Sequence, residues 1–275
     1  MDSSHKPNLI NFDEPPVVET VLSAQFEKLE GFRSIHFGLF WERVRSQFPQ
    51  SQEQGALEPS FEEFGTQPPP VPRIQFLQSG GAALPQRVLL TDSANSEMMQ
   101  IQSDRFIKNW RKTGEDDTYP RYEPVIREAF HRDFEIFKKF LADEGIGSVR
   151  VTQCEVTYVN HILSGKGWSD WSEADKVFTF WNPPRDPHYP GKMEDFAMHT
   201  RFPIYGDHQE KIGRLHVDVQ PALRSSDGLP MYVMNLTARG QYGEGTDFFD
   251  VGRRYIVHSF KSLTTDQMHR IWREK

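Results

Sequence analysis

Residues 15–26 read PPVVETVLSAQF and predict the first strand of the fold. From Val18 onward most apolar residues take one side of an alternating pattern, while Glu19, Ser23 and Gln25 take the other. This alternation is typical of a half-buried β-strand, whose successive side chains point to opposite faces of a sheet. Two prolines suit the entrance of a strand, where a missing amide donor costs little. The stretch therefore indicates where a sheet begins, and it raises the question of what Glu19 does there.

The composition predicts a globular protein with a large core. The 275 residues include 21 Phe, 6 Trp and 8 Tyr, and such bulky apolar groups offset the entropy of ordering a chain. The formal net charge of −7 opposes broad attraction to nucleic acid or to anionic membranes. No apolar run approaches the ~20 residues that span a bilayer, and the first residues lack the apolar stretch of a signal peptide. We therefore expect a cytoplasmic protein without membrane contact.

The predicted elements occur twice in the same order. In the first half the patterns predict a strand, a helix, three strands and a helix, over 17–26, 35–48, 73–79, 87–93, 97–110 and 121–143. In the second half they predict the same series, over 149–163, 169–181, 195–205, 213–223, 230–240 and 247–263. A short terminal helix follows, capped by Thr264 or Thr265. The chain therefore predicts a duplicated βαβββα unit.

We expect an α+β fold in which the two units form antiparallel sheets backed by long helices. Residues 1–14 are predicted as a flexible N-terminus, 15–145 as the first unit with a Gln/Pro-rich insertion at 50–72, and 146–275 as the second unit. Joining the sheets edge to edge removes two exposed edges, so one broad curved sheet is favoured over two. By element order alone the result resembles the saddle of the TATA-binding protein, a likeness that carries no function.

Several phrases of the chain together resemble a family of sporadically distributed bacterial proteins. They are PPVVETVLSAQFE, FWERVRSQFP, the strand TYVNHI, and an Asp-rich turn into a helix that ends HSF and is followed by TTDQMHRIW. Members open with a Pro-Pro-hydrophobic-Val-Glu phrase and carry a central Tyr-x-Asn strand. The likeness covers nearly the whole chain and selects Pro16, Val18, Glu19, Tyr158 and Asn160.

The resemblance implies a setting and no reaction. The family has no assigned biochemical activity, and its patchy distribution is typical of mobile or defence-associated genes. No catalytic role therefore comes with the five motif residues. The resemblance implies a component of bacterial immunity, an antitoxin or a phage-defence system. The chain departs from the family in its insertion at 50–72 and in the segment containing WSDW.

His199, His216 and Asp218 are the candidate metal ligands. His216 and Asp218 share one face of the predicted strand GRLHVDVQ, and His199 lies on the strand before it. Two histidines and a carboxylate form the kind of cluster that non-haem iron or zinc favours. Plain strand alternation produces the same spacing, and no helical H-E-x-x-H pattern accompanies it. We therefore predict polar side chains on an open sheet face, with no metal and no other cofactor.

The remaining titratable groups do not predict a reaction. Glu19 and Glu155 occupy the first strand of each unit, where paired carboxylates can divide acid and base roles. The alternative is structural: each carboxylate caps a loop or pairs with an arginine such as Arg150.

Cys154, the single cysteine, lies in a strand pattern without an activating base and is predicted as a buried, inert thiol. GQYGEG at 240–245 matches no phosphate-binding motif and is predicted as a tight turn before a helix.

Two segments are candidate contact surfaces. Trp168, Trp171 and Trp181 lie in a stretch of little regularity, and exposed tryptophans mark protein contacts. The alternative is that they close the underside of the second sheet. RFIKNWRK at 105–112 mixes cations with aromatic residues as single-stranded nucleic acid sites do. Its alternative is a solvated strand end, because the acidic run GEDD follows.

We therefore expect a non-enzymatic, protein-binding module whose partner and oligomeric state the sequence does not identify. The alternative is an enzyme or sensor that uses a metal or small molecule on the concave sheet face, lined by His199, His216, Asp218, Glu155 and Tyr158. Nucleic-acid binding through 105–112 is less favoured, given the acidic net charge.

Overall fold

The computed structural model describes residues 10–58, 60–62, 64, 87–182, 186, 188–206, 208–241 and 247–275. Within these ranges the chain is a mixed α+β fold with one antiparallel sheet of nine strands and five α-helices. The strands are β1 (Val17–Phe26), β2 (Gln50–Gln54), β3 (Arg87–Thr91), β4 (Glu97–Gln102), β5 (Arg105–Arg111), β6 (Val151–Leu163), β7 (Met198–Tyr205), β8 (Lys211–Leu223) and β9 (Pro230–Gln241). The helices are α1 (Ser34–Val44), α2 (Arg127–Asp143), α3 (Ala174–Val177), α4 (Phe248–Leu263) and α5 (Asp266–Ile271).

The sheet is continuous because β1 and β6 pair at its centre. The strand order is β2-β3-β4-β5-β1-β6-β9-β8-β7, and every neighbouring pair is antiparallel. Leu22 lies opposite Val156, and Ala24 lies opposite Cys154. The α+β class and the single antiparallel sheet expected from the sequence are therefore confirmed.

Helices α1 and α2 cover one face of the first half of the sheet. Phe26 of β1 and Phe106 of β5 both contact Phe137 of α2, with ring centroids 6.1 and 5.5 Å apart. Phe40 of α1 packs on the same Phe137 ring at 5.5 Å and on Phe140 at 5.3 Å. These rings are buried and bring large apolar areas out of water, so this face forms the core.

Helix α4 covers the same face of the second half. Gly252 of α4 lies against Val156 of β6 and Ala238 of β9. Helices α2 and α4 touch each other through Phe130 and Phe249, whose ring centroids are 4.7 Å apart. Because the helices share one side, the other face of the sheet has a separate chemistry, described below.

Most predicted elements are found within a few residues of their expected bounds, but the strands of the first half of the chain differ in two places. Residues 97–110, predicted as one strand, form β4 and β5 with a turn at 103–104. Gln50–Gln54, predicted as part of a connection, pairs with β3 as an edge strand. Its side chains are mostly exposed and polar, so it carries no apolar alternation to signal a strand. The strand predicted over 73–79 lies outside the described residues.

The helices also differ in detail. The stretch 169–181, predicted as a weak helix, contains only a 3₁₀ turn at Trp171–Glu173 followed by the short α3. Helix α2 starts at Arg127, after a π-turn at Tyr122–Ile126 that contains a non-helical Glu123. The cap of α5 is Thr265, whose hydroxyl accepts from the amide of Met268. Over the described residues, every helix is too short or too polar to cross a membrane.

The part of the N-terminal segment that the structure describes is packed on the C-terminus. Phe12 is buried and forms an isolated β-bridge with Glu274. The amides of Asp13 and Glu14 donate to the carbonyls of Arg273 and Trp272, each at 3.1 Å. This packing differs from the flexible N-terminus predicted for 1–14, whose residues 1–9 lie outside the described residues.

A buried ion cluster ties β5 to α2. Lys108 is 3% exposed, and its Nζ lies 2.7 Å from a carboxylate oxygen of Asp133, which is 1% exposed. The same nitrogen lies 2.7 Å from Glu97 of β4 and 4.4 Å from the centre of the Phe48 ring. Removing one partner of such a pair leaves the other charge buried and uncompensated, which costs more than the pair itself contributes.

We expect Lys108→Met to destabilise the protein by about 3 kcal/mol, because Asp133 then loses its buried cation and is left with the exposed Arg132, 2.9 Å away. Replacing both partners, as Lys108→Met with Asp133→Leu, should restore the free energy of unfolding to within about 1 kcal/mol of the wild-type value. Urea denaturation measures both.

The matched control is Lys28→Met, which removes an exposed lysine paired with Glu30 and should change stability by less than about 0.5 kcal/mol. Equal losses in the single and the double variants would show that the ion pair is not what holds β5 to α2.

Candidate functional site

The sheet face opposite the helices is polar, yet its central side chains are buried. The cross-strand pairing shows which side chains of neighbouring strands lie together on this side. We call it the polar face; its members are Ser23, Gln25, Gln100, Gln102, Arg105, Asn109, Gln153, Glu155, Arg214, His216 and Arg239. All five of its amide side chains are less than a tenth exposed. Buried amides need hydrogen-bond partners. Polar groups from outside the sheet must therefore lie over this face and bond to them.

Part of that cover is the chain itself. Residues 57–64, of which Pro59 and Glu63 lie outside the described residues, cross the polar face and are called the crossing segment here. Gln102 holds one end of it with a single side chain. The amide of Leu57 donates to Gln102 Oε1 at 2.8 Å, and Gln102 Nε2 donates to the Leu57 carbonyl at 2.9 Å. Both backbone groups of one residue are therefore satisfied by one glutamine.

Gln153 holds the other end in the same manner. The amide of Glu62 donates to Gln153 Oε1 at 3.0 Å, and Gln153 Nε2 donates to the Ser60 carbonyl at 2.5 Å. Arg239 Nη1 adds a hydrogen bond of 2.8 Å to the Ser60 hydroxyl. Four backbone groups of the crossing segment are thus bound by two side-chain amides, and this kind of recognition does not depend on the sequence of the bound segment.

Glu62 anchors the crossing segment by its charge. One carboxylate oxygen lies 2.6 Å from His216 Nε2 and 3.5 Å from Arg239 Nη1, and the other contacts Arg214 Nη1. Glu62 is only 9% exposed, whereas its neighbour Phe61 is 59% exposed. The crossing segment therefore buries an acid and exposes a phenylalanine, and charge-assisted bonds hold it at this point. Phe64, at the end of the segment, is half-buried, and its ring centre lies 5.5 Å from the Arg214 guanidinium.

The pKa of Glu62 reflects this environment. Burial alone raises the pKa of this carboxyl, but the hydrogen bond from His216 and the charges of Arg239 and Arg214 outweigh burial. The net result is a pKa below the usual value of 4.5, so Glu62 is ionised at neutral pH.

The candidate metal ligands are engaged in two separate pairs. His216 bonds to Glu62, and His199 Nδ1 lies 2.5 Å from Asp218 Oδ1. The two imidazole rings are 6.3 Å apart between centroids. The described residues contain no group of three or more His, Cys, Asp and Glu side chains placed to hold a metal ion.

Glu19 and Glu155 lie on the same sheet face but not together. Glu19 is opposite Val159 of β6, which is four residues from Glu155, or roughly 13 Å along a strand. Glu19 accepts a hydrogen bond of 2.7 Å from Asn109 Nδ2. Glu155 pairs with Arg239 at 2.6 Å, so both carboxylates take structural partners within the sheet.

The predicted arginine partner is wrong in its identity. Arg150 pairs with Glu27 at the end of β1 and not with Glu19 or Glu155. Arg239 of β9 is the partner of Glu155, because the two residues lie directly opposite each other in the β6–β9 pairing.

The tryptophan cluster lies below the second half of the sheet. Trp168 is 2% exposed and packs on Tyr232 with ring centroids 5.0 Å apart. Trp171 is half-buried and donates to the Met231 carbonyl at 3.2 Å, and Trp181 is half-buried against Phe196. Trp168 thus fits the alternative in which the cluster closes the underside of the sheet, and a partner-binding role for the other two stays a prediction.

The residues selected by the family resemblance lie at the start of β1 and on β6. Pro16 and Val18 line a cleft of about 530 Å³ beside the first residues of β1. The hydroxyl of Tyr158 lies 2.8 Å from that of Tyr119, and burial raises the pKa of Tyr158. The buried amide of Asn160 donates to a carbonyl of β9 at 3.1 Å. These contacts give the motif a structural role.

The basic run at 105–112 does not form one surface. Arg105 lies on the polar face, whereas Lys108 points to the helices and is buried with Asp133. Phe106 is fully buried against α2. Because strand alternation sends its cations to opposite sides of the sheet, the run does not favour a nucleic-acid surface.

Cys154 and the glycine-rich stretch have structural positions. Cys154 is buried, and burial raises the pKa of its thiol, as predicted for an inert cysteine. Of GQYGEG, only Gly240 and Gln241 are described, and they end β9. A Cβ at Gly240 would overlap the ring of Phe248 and the carbonyl of Ile212, so close packing requires glycine there.

A scan against protein-family models finds no match to this chain, and a search among curated proteins finds none.

Sequence reasoning missed the residues that carry the site. One signal for the site was present, because Gln102 and Gln153 are polar residues within strands that also contain buried apolar residues. Glu62 lies in the stretch predicted as an insertion, and it is 152 residues from Arg214 and 154 from His216. No local pattern connects positions that far apart.

We expect Glu62→Gln to loosen the crossing segment, because the charge-assisted bonds to His216, Arg214 and Arg239 are lost. Bonds to a charged group contribute about 1.5–3 kcal/mol, which corresponds to about 10- to 100-fold faster amide exchange at Leu57 and Glu62. Hydrogen exchange read by mass spectrometry measures this.

The matched control is Glu58→Gln, which changes an exposed acid in the same segment and should leave exchange unchanged. Equal exchange in wild type and Glu62→Gln would contradict the anchoring role of the carboxylate.

Acid should have the same effect as the Glu62→Gln substitution. Because the pKa of Glu62 is lowered, its ionised form stabilises the crossing segment at every pH above 4.5, and this contribution is lost as the pH falls through the lowered pKa. Protection of the Leu57 amide should therefore decrease below pH 4.5 in the wild type and much less in Glu62→Gln. An identical pH dependence in both proteins would assign the effect to another group.

Proposed function

We propose that this protein is a non-enzymatic module that binds another protein through the polar face. The observation that carries the proposal is that Gln102 and Gln153 bind backbone N–H and C=O groups of the crossing segment. Backbone groups are common to every polypeptide, so an extended segment of a partner offers the same donors and acceptors.

The burial of the polar face supports the proposal. A buried donor or acceptor without a partner costs about 1–3 kcal/mol. The Nε2 atom of Gln25 is buried and has no hydrogen-bond partner within the part of the chain that the structure describes. The face therefore retains donor capacity beyond what the crossing segment uses, which suits a surface that receives a further chain.

We also propose that the two halves of the sheet derive from one duplicated βαβββα unit. The order β1-β5-β4-β3 on one side of the central pair repeats as β6-β9-β8-β7 on the other, with β2 as an added edge, and this supports the proposal. Duplication places two related halves of the polar face side by side. Gln102 comes from one half and Gln153 from the other, so a bound segment spans both. The saddle shape stays a prediction.

The biological setting is proposed from the family resemblance. A bacterial, cytoplasmic component of an immunity, antitoxin or phage-defence system requires specific protein binding without its own chemistry. A polar face that binds polypeptide backbone meets that requirement.

Selection of peptides on the immobilised protein tests the proposal. Random dodecapeptides displayed on phage are selected on the wild type, on Glu62→Gln, and on a variant with Gln102→Leu and Gln153→Leu. We expect binders to the first two proteins that bind the double variant at least 10-fold more weakly, since the lost backbone bonds contribute about 1 kcal/mol each.

The matched control is Gln52→Leu, which changes an exposed glutamine on the edge strand β2 and should leave binding unchanged. Thermal unfolding of each variant establishes that the sheet is intact. The proposal would be overturned if neither the wild type nor Glu62→Gln selected a peptide whose binding depends on Gln102 and Gln153. Turnover of nucleotides or nucleic acid by the purified protein alone would also overturn it.

A further inference from the structure

Resting on the proposed function, we infer that the polar face takes an extended acidic segment of a partner protein, and that the crossing segment is its internal competitor. The partner carboxylate replaces that of Glu62 between Arg214, His216 and Arg239.

Charge complementarity selects an acidic ligand. The chain as a whole has a formal charge of −7, but the part of the polar face around Glu62 holds Arg214, His216 and Arg239, with Arg105 near Arg239. Among the described residues, the carboxylates that face these cations include Glu155 and Asp104, which belong to the sheet and its β4–β5 turn, and Glu62, which belongs to the crossing segment. When the crossing segment leaves, Arg214 and His216 lose the Glu62 carboxylate, and an incoming acid restores it.

The contacts also set the spacing that a ligand must match. Gln102 binds the backbone at Leu57, and the acid follows five positions later at Glu62, a span of roughly 17 Å for an extended chain. Between them, the Ser60 position accepts from Arg239 through a hydroxyl. The residue just before the acid points outward, as Phe61 does, and is unconstrained. A ligand of this class therefore needs one acid at a defined distance from a free backbone amide and carbonyl.

The crossing segment competes because it is tethered. It begins three residues after the end of β2, so its local concentration at the face is high, in the millimolar range typical of short linkers. A free peptide that makes the same contacts must compete with the tethered segment at that local concentration. The bonds that hold the segment are polar and individually reversible, and its one large apolar side chain at the centre, Phe61, is already outside. The segment can therefore be exchanged without exposing part of the core.

A peptide with the sequence of residues 55–64, GALEPSFEEF, serves as the probe. Its fluorescein conjugate is titrated by fluorescence anisotropy with the wild-type protein and with Glu62→Gln, in which the internal segment is weakened while the receptor cations remain. We expect binding to Glu62→Gln to be at least 10-fold tighter than binding to the wild type. Adding Arg214→Leu to Glu62→Gln should abolish that gain.

Two altered peptides separate the role of the acid. Replacing the glutamate that corresponds to Glu62 with glutamine should weaken binding to the Glu62→Gln protein at least 10-fold. Replacing the glutamate that corresponds to Glu58 with glutamine leaves the anchoring acid in place and should leave affinity unchanged. Thermal unfolding of each protein variant shows that it is folded before titration.

The outcomes distinguish this inference from the function on which it rests. If the Glu62→Gln protein binds the two altered peptides with equal affinity, the specificity for an acidic segment is overturned. The proposed function would still be supported by phage-selected peptides whose binding depends on Gln102 and Gln153. Equal affinity of the wild type and Glu62→Gln for the probe overturns internal competition. A Glu62→Gln protein that dimerises and takes no peptide shows that a second copy of the chain occupies the face, which also overturns the inference.

Discussion

The antiparallel pairing of β1 with β6 is the interaction on which the rest of the structure depends. It joins β5 on one side to β9 on the other, and without it each half would present an unpaired strand edge. The same pairing sets Gln25 opposite Gln153 and Ser23 opposite Glu155. The polar face therefore continues across both halves, and a single extended segment can be held by glutamines from each of them.

The helix-covered face of this sheet and the centre of its polar face are both buried, but by different chemistry. An antiparallel sheet commonly packs one face on a core and leaves the other in water. Here Leu22, Ala24 and Phe26 of β1 pack under the helices, while Ser23 and Gln25 of the same strand are buried on the polar face. The alternating pattern is that of a half-buried strand, yet the polar half of the pattern is also covered. This departure from the usual arrangement is the reason to treat the polar face as the candidate site.

The elements that the sequence predicts correctly are those whose signal is local. Alternation predicts β1, β6, β8 and β9 to within a few residues, and the aromatic stripe predicts α2 except for its first turn. The turn between β4 and β5 is missed although Ser103 and Asp104 are polar residues that suit a turn, and β2 is missed because its residues are polar. The candidate site is missed for a different reason: His216 is recognised as chemically significant, but its partner is Glu62, 154 residues away. Only the tertiary fold brings the crossing segment to β8.

In the proposed function, a face built from buried amides and cations is costly to leave empty, and this cost determines how the face can be selective. Unpaired amides and clustered positive charges lose solvation without compensation, so a resident segment that satisfies them stabilises the fold. In the proposed function, the crossing segment also sets the affinity that any partner must exceed. A ligand must supply both the backbone groups and the acid to match the contacts of the crossing segment. A ligand that lacks the acid displaces Glu62 and leaves Arg214 and His216 without that carboxylate, so the cost of the mismatch falls on the complex. Under this proposal, specificity arises from the difference in affinity between two occupants of one site, and the crossing segment acts as the competitor that wrong partners do not displace.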